Sequence, residues 1–105
     1  MDLTVTRTVE GERALLRADG SIDAASRNRL ATAATEVVDG GATTVVVDLS
    51  GVTFMDSTGI GTLVEIANQL DDADGTFYVR EPSRPVARLL EVSGLSDAWR
   101  EGPVD

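Results

Sequence analysis

The stretch Val45-Val46-Val47-Asp48-Leu49-Ser50-Gly51-Val52-Thr53-Phe54-Met55-Asp56-Ser57-Thr58-Gly59-Ile60-Gly61 decides how this chain folds. Its opening is an unbroken β-branched run. That predicts a central strand over residues 43–49, covered on both faces. Its end brings together Asp56, Ser57 and Thr58, residue types that favour the start of a helix. Ile60, Leu63, Val64, Ala67 and Leu70 then recur at helical spacing and predict a helix over about 58–70. A strand that passes through a polar turn into an amphipathic helix is half of a β-α-β unit. In open α/β sheets such turns lie beyond the carboxyl ends of the strands, where sites are built.

Working upstream, Leu3, Val5, Arg7 and Val9 alternate with Thr4, Thr6 and Thr8, the period of a strand. A turn at Glu10-Gly11-Glu12 leads to a second strand over 13–18, hairpinned to the first and broken by Asp19-Gly20-Ser21. Asp23 is placed to cap a helix whose stripe is Ala25, Leu30, Ala33, Ala34, Val37 and Val38, ended by Gly40-Gly41. Downstream, Asp71-Asp72-Ala73-Asp74-Gly75 reads as an exit loop, followed by a strand over 76–80. Ser83 caps a third helix that tolerates Pro85 in its first turn and turns Val86, Leu89 and Leu90 inward. Gly94 stops it, with Leu95 folding back on the last turn. Residues 98–100 are a short final strand or a docked tail, and 101–105 a frayed tail. The order β-β-α-β-α-β-α predicts an α/β single domain over 1–105. It would hold a mixed sheet of four to five strands with a parallel core, packed by three main helices.

Composition narrows the function. The chain has 105 residues and a formal charge of −9, from 18 acidic residues against 9 basic ones, all of them Arg. That balance excludes a nucleic-acid partner, which needs a cationic footprint, and suits a protein with a basic face. There is no Cys and no His. Thiolate metal sites and His-containing triads are therefore impossible, and Ser57 with Asp56 alone makes no hydrolase dyad. A binding protein without metal or cofactor is expected, not an enzyme. No apolar run approaches the roughly 20 residues of a membrane helix, so no membrane insertion is expected. Met1-Asp2-Leu3-Thr4 has no signal-peptide character, which makes the cytoplasm the expected compartment.

Other signals reduce to structure. Gly59-Ile60-Gly61 is no dinucleotide loop, because Val64 holds the third glycine position. Asp72-Ala73-Asp74-Gly75 lacks the downstream Glu of a calcium loop. Asp48 reads as a turn acceptor and Trp99 as a core plug.

Ser57 is the residue with two readings. Its hydroxyl can cap the helix and do nothing else. Alternatively it is a modification site, for three reasons. Asp56 can supply the cap. Gly59 costs the first turn up to ~1 kcal/mol unless something approaches closely. A helix N-terminus also accommodates added negative charge.

The quoted stretch resembles the signature of STAS domains, above all the bacterial anti-sigma-factor antagonists. Gly20-Ser21-Ile22-Asp23 is similar to the family's Gly-Glu-Leu-Asp loop, with Ser21 where Glu is usual. Residues 83–95, with Pro85-Val86-Ala87-Arg88-Leu89-Leu90 and Ser93-Gly94-Leu95, are similar to the family's last helix. The resemblance implies that the unphosphorylated protein binds an anti-sigma factor, itself a serine kinase of the histidine-kinase-like ATPase class, and so frees a sigma factor. It implies phosphorylation at Ser57, with Thr58 as a second possible acceptor, and a phosphatase that resets the switch. The implied partner-binding set is Ser21, Asp23, Asp56, Ser57, Thr58, Gly59 and Ile60. The alternative is a non-switching STAS scaffold in a stress-signalling or lipid-transport assembly, with Ser57 only a cap.

Overall fold

The computed structural model describes residues 2–100; the predicted frayed tail at 101–105 lies outside them. The elements are β1 (Leu3–Glu10), β2 (Arg13–Ile22), α1 (Arg27–Asp39), β3 (Thr44–Met55), α2 (Ser57–Asp72), β4 (Thr76–Arg80) and α3 (Arg84–Val92). The sheet runs β1-β2-β3-β4 in space. β1 and β2 form an antiparallel hairpin, and Gly11, at φ +60°, is the first of its two turn residues between the Glu10–Arg13 pair. The β2-β3 and β3-β4 pairs are parallel. The mixed sheet with a parallel core is as expected, and it has four strands. The candidate fifth is one parallel bridge between Arg100 and Val79, beside a ring contact of Trp99 with Phe77 at 5.4 Å. Trp99 thus packs against the core edge.

Both crossovers step the same way across the sheet and are right-handed by rule, so α1 and α2 share one face. Ala14, Leu16, Ala18, Val45, Val47, Leu49, Phe77 and Val79 point into the core beneath them, with Val86 and Leu90 of α3 in the same cluster. The period of two sends Leu15, Val46 and Tyr78 to the other face. The expectation that the central strand is covered on both faces holds for its Val45-Val46-Val47 run: all three are 0% exposed, and Val46 is flanked in register by Leu15 and Tyr78.

Several boundaries also move. β2 does not break at Asp19-Gly20-Ser21 but continues to Ile22 through two register shifts. Gly20 makes that possible: at φ +116° its missing Cβ would stand 2.0 Å from the Asp2 carbonyl oxygen. β3 extends beyond residue 49 to Met55, and α2 takes in Asp71 and Asp72. Ala25 is exposed, ahead of α1. In α2 the buried stripe is Gly59, Thr62, Leu63, Ile66 and Leu70, so Val64, assigned inward from spacing, is exposed.

All three helices end in the same way. The N–H of Ala42 reaches the Val37 carbonyl, that of Gly75 reaches Leu70, and that of Leu95 reaches Leu90, at 2.9, 2.7 and 2.7 Å. The preceding residues, Gly41, Asp74 and Gly94, take φ of +107°, +57° and +74°. These are Schellman ends, with Leu95 folded back as expected. Ser83 holds the cap position of α3 but its side chain makes no cap bond; the hydroxyl is buried without a partner.

Candidate functional site

The site begins in the parallel register. Ser21 pairs with Phe54 and Ile22 with Met55. The chain leaves both strands at the same level, so Asp23 and Asp56 follow at equivalent positions on neighbouring strands. Each carboxylate then caps the turn after it.

Asp56 is the N-cap of α2. Its Oδ1 accepts the N–H of Thr58 at 2.9 Å and that of Gly59 at 3.3 Å. The hydroxyl of Ser57, assigned at or beside the cap, is not needed for it. Ser57 is the first helical residue, exposed, and its side chain makes no hydrogen bond among the described residues. The strand exit decides this: Asp56 holds extended backbone at φ −114°, the conformation of a cap residue, whereas Ser57 is already helical.

Asp23 does cap, though regular α1 starts only at Arg27. Its Oδ1 accepts from the N–H of Ala25 at 3.0 Å, the N–H of Ser26 at 3.1 Å and the Ser26 hydroxyl at 3.1 Å. The Ser26 hydroxyl also takes the Asp23 N–H at 3.0 Å, closing a reciprocal box. Partial desolvation would raise the Asp23 pKa, but the Ser26 hydroxyl and the two backbone N–H groups outweigh it and hold the carboxyl below its ordinary value. Among these bonds Oδ2 takes none, so one oxygen of Asp23 is left for an incoming group.

The other assigned residues divide by burial. Thr58 and Ile60 are half-buried at the rim. Ser21 is only 2% exposed, and its hydroxyl is buried without a partner. It therefore lies beneath the site and presents no hydroxyl to a docking protein. Gly59 is buried too. A Cβ there would stand 2.4 Å from Met55 Cγ and 3.2 Å from Ile22 Cγ2. The close approach that requires this glycine comes from the chain's own core, not from a partner. Leu63, Ile66 and Leu70, each worth ~1.5–3 kcal/mol when buried, outweigh the ~1 kcal/mol that such a glycine costs a helix.

Spacing alone did not reveal Arg27 and Thr62. Arg27 Nε donates to Thr62 Oγ1 at 2.9 Å, Thr62 Oγ1 donates to the Thr58 carbonyl at 2.9 Å, and the Arg27 guanidinium pairs with Glu65. This chain ties the first turn of α1 to the first turn of α2. Asp48, as expected, serves as a backbone acceptor, taking the Ser50 N–H at 2.9 Å. Among the described residues no group of three or more acidic side chains is arranged to hold a metal ion, and no helix is long and apolar enough to cross a membrane.

The arrangement presents an exposed Ser57 hydroxyl next to the capping carboxylate of Asp56, with the Asp23 cap at the equivalent position after the neighbouring strand. Comparison with known proteins places this fold in a family. The family model for the STAS domain matches residues 3–101. The anti-sigma-B factor antagonist of Staphylococcus aureus (strain NCTC 8325 / PS 47) is 29% identical over 97 residues, covering 92% of this chain and 90% of that protein. The unphosphorylated form of the anti-sigma factor antagonist SpoIIAA superposes with a TM-score of 0.80 at 23% identity, covering 97% of this chain and 90% of that one. The phosphorylated form of the Bacillus cell fate determinant SpoIIAA superposes with a TM-score of 0.74 at 21% identity, covering 97% and 93%. These relatives are regulators by name. With the sheet order, the helix arrangement and the signature stretch in agreement, the chain belongs to the STAS domain family.

Proposed function

We propose that this chain is a cytoplasmic anti-sigma factor antagonist that binds an anti-sigma factor with serine-kinase activity when Ser57 is unmodified, and releases it when Ser57 is phosphorylated. One observation carries the reading: Asp56 performs the cap, so the Ser57 hydroxyl is exposed with no structural task. The antagonist names of its relatives support the partner class.

Ser57 is only the acceptor in this scheme. Base, magnesium and nucleotide belong to the kinase, since phosphoryl transfer depends mainly on positioning and electrostatics. The hydroxyl oxygen bonds to the γ-phosphorus of ATP, ADP leaves, and the hydroxyl proton passes to the kinase. The modification adds about −1.5 to −2 charges. The N-terminus of α2 tolerates them, so the fold persists. The surface then carries a dianion beside Asp23 and Asp56, and a partner shaped for a neutral hydroxyl rejects it through repulsion and desolvation. Thr58, half-buried, is the weaker acceptor. A phosphatase completes the cycle.

The test combines the purified chain with the histidine-kinase-like ATPases of its host and ATP. Intact mass should rise by one phosphate, mapped to Ser57. Ser57→Ala should stay bound in the presence of ATP, and Ser57→Asp should bind at least tenfold more weakly, ~1.4 kcal/mol. Ser57→Asp binding as tightly as the unmodified chain would overturn the proposal.

A further inference from the structure

We infer that the free edge of β1 is a dimer interface: two copies of this chain pair antiparallel about a two-fold axis through Val5 and join their sheets into one. The two edges of the sheet differ. β4 is bridged on its outer side by the Trp99 segment, whereas among the described residues no strand pairs with the outer side of β1. β1 also lacks the usual protections of a free edge. It is 8 residues long, contains no Pro, and pairs with β2 without a register shift. Between Leu3 and Val9 its one charge is Arg7, which is turned onto Glu36 of α1 at 2.9 Å.

Two contacts fix which backbone groups face outward. The Asp2 carbonyl accepts the Ser21 N–H at 3.4 Å and so faces β2, while the Leu3 carbonyl faces away and accepts from the Arg29 guanidinium at 3.1 Å. By the alternation of an antiparallel ladder, the N–H and C=O groups of Val5, Arg7 and Val9 also face away. Their side chains lie on the helix-covered face, beside their partners Ala18, Leu16 and Ala14. An added strand would therefore set alternate side chains into the groove between β1 and α1, floored by Leu3, Val5 and Ala33.

Symmetry selects a second copy as the occupant. Leu3 lies against Arg29 and Arg7 against Glu36, so Val5 is level with the midpoint of the Arg29–Glu36 stretch of α1. One two-fold therefore serves both elements. It sets Val5 against Val5, Leu3 against Arg7, Thr4 against Thr6, and Arg29 against Glu36 of the second copy. No like charges meet in this register, whereas centring the axis on Thr6 would set Asp2 against Glu10. Among the described residues Arg29 makes no ion pair within the chain, and the dimer supplies one. The groove lining carries Arg7, Arg29 and Glu36, an excess of positive charge in a chain of −9, so the acidic surplus lies away from the contact. Such an isologous contact closes on itself. The Ser57 turn follows β3, two strands in from this edge, and stays exposed in both copies.

Sedimentation velocity on the full-length unphosphorylated chain over a hundredfold concentration range tests this, with circular dichroism as the check on folding. The unsubstituted chain should pass from monomer to dimer. Arg29→Glu and Glu36→Arg, both at exposed positions, should each weaken self-association tenfold or more, because each sets like charges together on both sides of the axis. An equimolar mixture of the two variants should dimerise again, since every 29–36 contact in the mixed pair is then opposite in sign. Arg7→Pro, which removes an outward N–H, should leave a folded monomer. An unsubstituted chain that stays monomeric at the highest concentration overturns the inference. So does a dimer that survives the charge variants, or a mixture of folded variants that stays monomeric. An extended peptide of another protein seated on β1 of a monomeric chain overturns it as well.

Discussion

The Oδ1 of Asp56 holds the backbone N–H of Thr58 at 2.9 Å, bridging over Ser57 and leaving that side chain with nothing to support. Cap and acceptor are neighbours with separate duties. Asp56→Ala should cost ~1 kcal/mol of stability, within the usual 0.5–2 range for a lost cap. Ser57→Ala should change stability by less than ~0.5 kcal/mol, as an exposed substitution away from caps and core does. Paired urea titrations check both. Equal losses would mean that Ser57 shares the cap.

The two glycines of α2 should respond with opposite signs. Gly59→Ala drives a Cβ to 2.4 Å from Met55 Cγ, an overpacking expected to cost ~1–3 kcal/mol. Met55 can relieve part of that by changing rotamer. Gly61→Ala meets nothing and should gain up to ~1 kcal/mol. Thermal unfolding of the two variants decides the signs.

Acid should weaken the turn that Asp23 caps. Its folded pKa lies below the unfolded value of ~3.9, so its ionised form contributes stability that is complete above that value. The contribution is lost as pH falls through the lower folded pKa. At pH 7 Asp23→Asn should be less stable than the unsubstituted chain, and the gap should close below about pH 4. Urea midpoints at pH 7 and pH 3 measure it.

Thr62→Val should test the tie between α1 and α2. It keeps the shape but removes the hydroxyl that links Arg27 to the Thr58 carbonyl. With Thr62 buried and the Arg27 donor left half-buried, a loss of ~1–3 kcal/mol is expected. Hydrogen exchange should also quicken in the first turns of both helices.

Much of this architecture was legible in the chain because local signals agreed. Val45 to Val47 specified the central strand, Gly41 and Gly94 the helix ends, and Ser57 with its neighbours the strand-to-helix turn. The differences arise where long-range geometry overrides local pattern. Gly20 reads as a break, yet it lies inside β2, as Gly51 lies inside β3. Gly20 gives way to the Asp2 carbonyl, and the Gly51 Cβ position is taken by the Asp19 carboxylate. Val64 and Ile66 are both aliphatic and two residues apart, and only the packing of α2 on the sheet chooses Ile66 for the core. Ser21 and Gly59 lie in segments that resemble the family's, but Ser21 is buried where β2 pairs with β3, and Gly59 is buried against Met55 and Ile22. Arg27 and Thr62 meet across 35 positions, a pairing that no local window contains.

The carbonyl of Trp99 accepts the N–H of Val79 at 2.7 Å, on the outer side of β4. A sheet that ends in an unpaired strand is a template for further strands, and such templates seed polymerisation. The Trp99 segment occupies that position with a single bridge, anchored by its ring on Phe77. The Trp99 segment therefore acts as a stopper on the β4 edge of the sheet.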